Sequence, residues 1–99
     1  MAERSDWQDL RARRMAEPGA EEAYEAAHLA FELGAAVREM RERRGLTQAQ
    51  LANAADMTQP AVARFEAGGT VPTIPVLERL AHALGAKLVV QIAQDTTAA

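Results

Sequence analysis

Residues 46–68 read LTQAQLANAADMTQPAVARFEAG, and this stretch limits the fold more than any other. It holds two short apolar stripes, Leu51-Ala52-Ala55 and Met57-Val62-Phe65, each with a Thr-Gln pair beside its start. Thr47 is placed as an N-cap, and Gln50 stands three residues on, the arrangement of a capping box. Thr58 caps the second helix, and Pro60 falls in its first turn, where a missing N–H costs nothing. Between the two helices the chain has only Asp56-Met57 in which to turn. Helices this close cross steeply only where the contact is small, and Ala52 is small. The turn also needs a residue that tolerates left-handed φ/ψ, a role that falls to Asp56, which accepts it less easily than Gly. Thr58, Gln59, Ala61 and Arg64 are left on the outer face of the second helix, at its start.

The flanking pattern is helical. Ser5-Asp6 caps a short helix from Trp7 to about Glu17, stopped by Pro18-Gly19. A second helix starts near Ala20, where Ala23, Ala26, Ala27, Ala30 and Phe31 recur at three and four, with Tyr24 and His28 extending the stripe. Gly34 costs about 1 kcal/mol relative to Ala and is expected to hinge or divide this helix. The stripe resumes at Leu33, Val37 and Met40, among Arg38, Arg41, Arg43 and Arg44, and Gly45 ends it. Thr73 caps a further helix with Ile74, Leu77, Leu80, Ala81 and Leu84 expected inward and Gly85 at its end. Then comes KLVVQIA, in which Leu88, Val90 and Ile92 alternate with Lys87, Val89 and Gln91, a strand signal. A lone strand leaves its backbone groups without partners. Residues Leu88, Val89, Val90, Gln91 and Ile92 are therefore expected to pair with their own copy across a two-fold axis, giving a homodimer.

Apolar residues make up 48% of the 99, yet only four are aromatic, so the core is aliphatic and rich in Ala, which lets helices approach closely. There is no cysteine, no apolar run near the roughly 20 residues of a membrane span, and no apolar signal core in MAERSDWQDL; a cytoplasmic chain without a membrane partner is expected. Catalysis finds no footing. No Gly-rich phosphate loop, clustered His/Asp/Glu or Ser beside a base occurs, and His28 and His82 are isolated, so neither enzyme activity, metal nor cofactor is expected. The net charge of −3 is segregated. Residues 1–32 carry four Arg against eight Asp/Glu, residues 33–68 five against four, and residues 69–99 two Lys/Arg against two acids. The stretch around 46–68 is thus neutral to basic, whatever the whole chain is.

From Leu33 to Leu84, the residues G45-L46-T47-Q48, L51-A52, T58-Q59, V62, R64-F65-E66, G68, P72, L77, L80-A81 and L84-G85 resemble the helix-turn-helix domain of the Xre family, the lambda-repressor-like fold. The resemblance covers about half the chain. It implies a mainly α bundle, here with an N-terminal helical extension (1–32), a DNA-binding domain (33–85) and a C-terminal dimerisation strand and tail (86–99). In that family the Gln after the first cap touches the DNA backbone and braces the recognition helix, the position of Gln48. Bases are read from the start of the recognition helix. Gln59 carries the amide for bidentate pairing with adenine, and Arg64, one turn on, reaches guanine or phosphate. Thr47, Thr58, Ala61 and Arg43 complete the implied DNA-contact set. Glu66 matches a buried acid that pairs with an Arg of the first core helix, here Arg41, as a structural ion pair. Three departures stand out: Asp56 for the turn Gly, Pro60-Ala61 where relatives carry polar readers, and no Lys or Arg in Gly68-Gly69-Thr70-Val71-Pro72. Phosphate grip then falls to backbone N–H groups, Gln48 and Arg43. A shallow salt dependence follows, since each phosphate contact carries about one unit of log–log slope.

The flanks, with Pro18 followed by Glu21-Glu22-Ala23-Tyr24-Glu25 and the terminal KLVVQIA, resemble HigA-type antitoxins of type II toxin–antitoxin pairs. That resemblance implies an antitoxin and autorepressor of a palindromic operator that silences a basic RelE/HigB-like toxin through residues 1–32, with Trp7, Leu10, Tyr24 and Phe31 as anchors. The acidic N-terminal third complements a basic partner independently. The alternatives are a free-standing Xre-family transcriptional regulator and a scaffold that contacts only protein. Trp7, Tyr24 and Phe31 also read as plain helix packing, and the run Arg38–Arg44 as a solvated helix face.

Overall fold

The structure is a computed structural model that describes residue 9 and residues 18–95. Apart from residue 9, the helix expected over residues 7–17, with Trp7 and Leu10, lies outside the described residues. Among those described, four helices follow in order: α1 Ala20–Arg43, α2 Gln48–Ala54, α3 Gln59–Glu66 and α4 Ile74–Ala83. The long α1 opens after Gly19 with no side-chain cap, whereas α2, α3 and α4 are capped by Thr47, Thr58 and Thr73, each hydroxyl accepting the backbone N–H three residues on.

Helix α3 packs against both α2 and α1, and α4 packs on α2. The resulting core is small and aliphatic apart from one ring: Leu51, Ala52, Ala55, Val62, Phe65, Leu80 and Leu84 are buried. Leu33, Val37 and Met40 of α1 close it from one side, and Val76 and Leu77 from the other. Ile74, expected inward, is exposed; it stands at the first position of α4, ahead of the part that meets the core, and Val76 contributes in its place.

The helices end alike. The chain turns after each through a pair of backbone hydrogen bonds around one left-handed residue, as in Leu46 N–H to Arg41 O and Gly45 N–H to Glu42 O. Three of the four left-handed residues at these helix ends are glycines. The fourth is Asp56, with φ of 57°, where Met57 N–H reaches Ala52 O at 2.8 Å and fixes the α2–α3 turn.

Two expectations are corrected here. Gly34 does not hinge or divide α1, which runs unbroken for 24 residues. A Cβ on Gly34 would lie 2.2 Å from the Phe65 carbonyl oxygen and 2.9 Å from that of Glu66, so the glycine is what lets α1 close onto the end of α3. The carboxyl-terminal strand is the second correction. Residues 86–95 form no strand, and Leu88, Val89, Val90, Gln91 and Ile92 make no ladder. The alternation is present, but the described residues offer no second extended segment to take its hydrogen bonds. Val89, Val90 and Ile92 stand exposed, Ile92 almost completely at 97%. No helix among the described residues is long and apolar enough to cross a membrane.

Candidate nucleic-acid interface

The features that aim α3 are built from its own sequence upward. The Thr58 hydroxyl accepts the Ala61 N–H at 3.2 Å, and Pro60 sits in the first turn, so the helix starts sharply. Val62, Phe65 and Glu66 turn inward and are buried. Gln59, Pro60 and Arg64 are exposed on the remaining surface, with Ala61 and Ala63 half-buried beside them. The exposed surface of α3 therefore bears two long polar side chains, Gln59 at its start and Arg64 in its last turn, beside Ala and Pro.

The far end of α3 is clamped by charge. Glu66, its last residue, takes a two-pronged contact from Arg41 of α1: Nε to Oε2 at 2.6 Å and Nη2 to Oε1 at 3.0 Å. The Arg41 side chain is 11% exposed and that of Glu66 only 3%. The third guanidinium nitrogen donates to the Leu46 carbonyl at 2.8 Å, and the Gln48 amide donates to Glu66 Oε1 at 3.1 Å. One carboxylate thus ties α3 to both α1 and the first residue of α2. No buried side-chain nitrogen or oxygen among the described residues is left without a hydrogen bond. The hydrogen bond to Glu66 pushes the Arg41 pKa up, against the opposing effect of burial, with the Glu66 and Glu42 charges adding to the rise.

Arg41 and Glu66 are therefore brought together as expected. Gln48, expected at the DNA backbone, spends one amide hydrogen on Glu66 and keeps the other. Thr47 is exposed, but its hydroxyl and backbone N–H are both engaged with Gln50 in the capping box, at 3.0 and 2.9 Å. Arg43 is exposed and faces Glu39 at 3.4 Å, one turn back on α1. Of the expected protein-contact residues, Tyr24 is half-buried and stacked on His28, with ring centroids 5.9 Å apart, while Phe31 is 48% exposed beside Gly68.

Sequence reasoning missed two arginines that hold the bundle's corners. Arg44 Nη1 donates to the Leu84 carbonyl at the end of α4, and Arg79 Nε donates to the Ala55 carbonyl at the end of α2, at 3.0 Å. Each places a cation on the negative end of another helix. The basic run around Arg44 is legible, but the helix end it serves lies 40 residues away. Leu29, 57% exposed on α1, was also missed.

This arrangement can be set beside known proteins. A family model described as a helix-turn-helix domain matches residues 32–92. The chain belongs to the helix-turn-helix domain family. Two solved structures of the clp gene regulator ClgR from Corynebacterium glutamicum are similar to it. The first is 33% identical with a TM-score of 0.60, covering 61% of this chain and 77% of that one. The second is 34% identical with a TM-score of 0.58, covering 60% and 63%. No curated protein matches the chain. In this helix-turn-helix, α2 and α3 are the motif pair, Asp56 is in its turn, and α3 holds the place of the recognition helix.

Proposed function

We propose that this protein is a sequence-specific DNA-binding transcription regulator that lays α3 in the major groove. The observation that carries the reading is the construction of α3: one face is buried, its end is clamped by Arg41 and Gln48 through Glu66, and its exposed surface presents Gln59 at the helix start and Arg64 in the last turn, beside small residues. Small side chains let the helix backbone approach base edges, and Gln59 carries the amide that pairs two-pronged with adenine. The likeness to a gene regulator supports the same reading. A second copy on a palindromic operator fits the exposed Val89, Val90 and Ile92, whose apolar surface a partner chain would cover. The direct test selects duplexes from a randomised pool with the full chain. An enriched half-site is expected, with its affinity lost in the Gln59→Ala/Arg64→Ala variant. Equal affinity for all sequences, or an unaffected double variant, refutes the reading.

A second reading adds a protein partner, as in HigA-type antitoxins that silence a basic RelE/HigB-like toxin. The observation favouring it is local. Between Pro18 and Val37 the chain carries Glu21, Glu22, Glu25 and Glu32 and no Lys or Arg, with Leu29 and Phe31 exposed among them. Such a surface complements a basic protein. A small basic open reading frame adjoining the gene, whose toxicity co-expression relieves, is the expected finding. Relief by a chain lacking residues 1–32 refutes this placement of the contact.

A further inference from the structure

Every arginine among the described residues except one already has an intramolecular partner. Arg41 is locked to Glu66, while Arg44 and Arg79 close the ends of α4 and α2. Arg38 and Arg43 pair along α1 with Glu42 and Glu39, both at 3.4 Å. The Arg64 side chain makes no hydrogen bond or ion pair among the described residues, and it is the only cation on α3.

Its direction is as informative as its freedom. At 3.6 residues per turn, Arg64 falls within about 30° of the direction opposite the buried trio Val62, Phe65 and Glu66, whereas Gln59 lies more than about 100° away. When a helix lies in the major groove, the direction opposite its packed face points at the groove floor, and the flanks point at the phosphate walls. Ala61 and Ala63 occupy those flanks roughly 90° and 70° from that direction, and neither has a side chain to hold the walls off. A guanidinium on the floor meets base edges, and its forked donors match the paired acceptors O6 and N7 that only guanine presents there.

We infer that Arg64 is the dominant specificity residue of this protein and requires a guanine in each half-site, with Gln59 a secondary reader. The two residues are about 7.5 Å apart along the helix axis and point in different directions, so they address different base pairs. The inference rests on DNA reading by α3 and names which base that reading demands.

The test uses the full chain and the half-site enriched from a randomised duplex pool. An invariant guanine is expected, and replacing it with 7-deazaguanine, which lacks the N7 acceptor, should weaken wild-type binding about 10-fold or more. Arg64→Ala should lose about 10–100-fold on the enriched duplex and become indifferent to the base at that position. Arg64→Lys keeps the charge without the fork and should not restore the preference. The circular-dichroism melt of Arg64→Ala should match that of the wild type, because no contact is removed. If Arg64→Ala weakens all duplexes equally, or 7-deazaguanine has no effect, Arg64 holds a phosphate or nothing, and the inference is overturned. If the wild type enriches no half-site, the DNA-reading proposal itself fails, a separate result.

Discussion

Replacing Gly34 by Ala tests the packing that aims α3. The added Cβ would stand 2.2 Å from the Phe65 carbonyl oxygen, 2.9 Å from the Glu66 oxygen and 3.0 Å from the Glu66 carbonyl carbon. Ordinary contact begins more than 3 Å out, so α1 and α3 must part locally by about 1 Å. All three neighbours are backbone atoms, and no rotamer change relieves them. Two effects compete. Ala gains about 1 kcal/mol over Gly within a helix, whereas overpacking costs about 1–3 kcal/mol. Parting the helices also stretches the 2.6 Å Arg41–Glu66 contact seven residues further along α1, whose complete rupture costs about 3–5 kcal/mol. The clash therefore outweighs propensity, and the net loss is about 2 kcal/mol. For a domain of this size, that lowers Tm by roughly 10 °C. Thermal and urea melts followed by circular dichroism measure it directly. A Gly34→Ala protein as stable as the wild type, or more so, refutes the close approach and leaves Gly34 as a residue of no structural consequence.

Other perturbations separate the remaining contributions. Glu66→Ala strands the Arg41 guanidinium, 11% exposed, and should cost about 3 kcal/mol in urea unfolding, part of which returns in the Arg41→Ala/Glu66→Ala double variant. Asp56→Gly relieves a left-handed residue at φ of 57° and should raise stability by about 0.5–1 kcal/mol; a fall in Tm counts against strain in the turn. The Arg41 pKa is raised by its partner, so its contribution to stability is complete below the ordinary arginine pKa and declines only as pH climbs through the raised value. The stability difference between wild type and Arg41→Ala should accordingly stay flat from pH 7 to about 10, and a decline in that range refutes the assignment.

Features that depend on residues close in sequence are legible in the sequence alone. The Thr47–Gln50 box, the Thr58 and Thr73 caps, the left-handed Asp56 and the inward faces around Leu51, Phe65 and Leu80 all follow from neighbours within one or two turns. Arg41–Glu66 is a long-range pair that the family resemblance supplies and spacing alone does not. Gly34 misleads because a glycine inside a helix signals weakness in one dimension, while its use here is a contact with backbone 31 residues away. Gln48 reads, through the resemblance, as a DNA-backbone contact and a brace of the recognition helix; the bond to Glu66 fits the brace, and nothing local in the sequence indicates that Glu66 is its acceptor. KLVVQIA alternates as a strand should, but alternation reports only which face is apolar and cannot provide the second strand that a ladder needs.

Charge sorting along α1 shows how DNA reading and a net charge of −3 coexist, and it sharpens the test for a protein partner. From Arg38 to Arg44 the chain carries four Arg against two Glu, whereas the preceding stretch from Pro18 is acidic only. Glu21 and Glu22 lie in the first turn, where the helix dipole favours them, so local physics accounts for half of the four glutamates without a partner. It does not account for Leu29 and Phe31, which expose apolar surface on the same half of the helix at 57% and 48%. A partner that uses this face should therefore depend on the apolar pair more than on the glutamates. Leu29→Ser/Phe31→Ser should keep the wild-type DNA affinity yet lose capture of a cognate basic protein in a pull-down with the purified pair. Glu21→Gln/Glu22→Gln should mainly weaken α1, most at low salt, where the dipole is least screened. Capture that survives the serine variant but fails with the glutamine variant assigns the contact to charge alone and removes Leu29 and Phe31 from it.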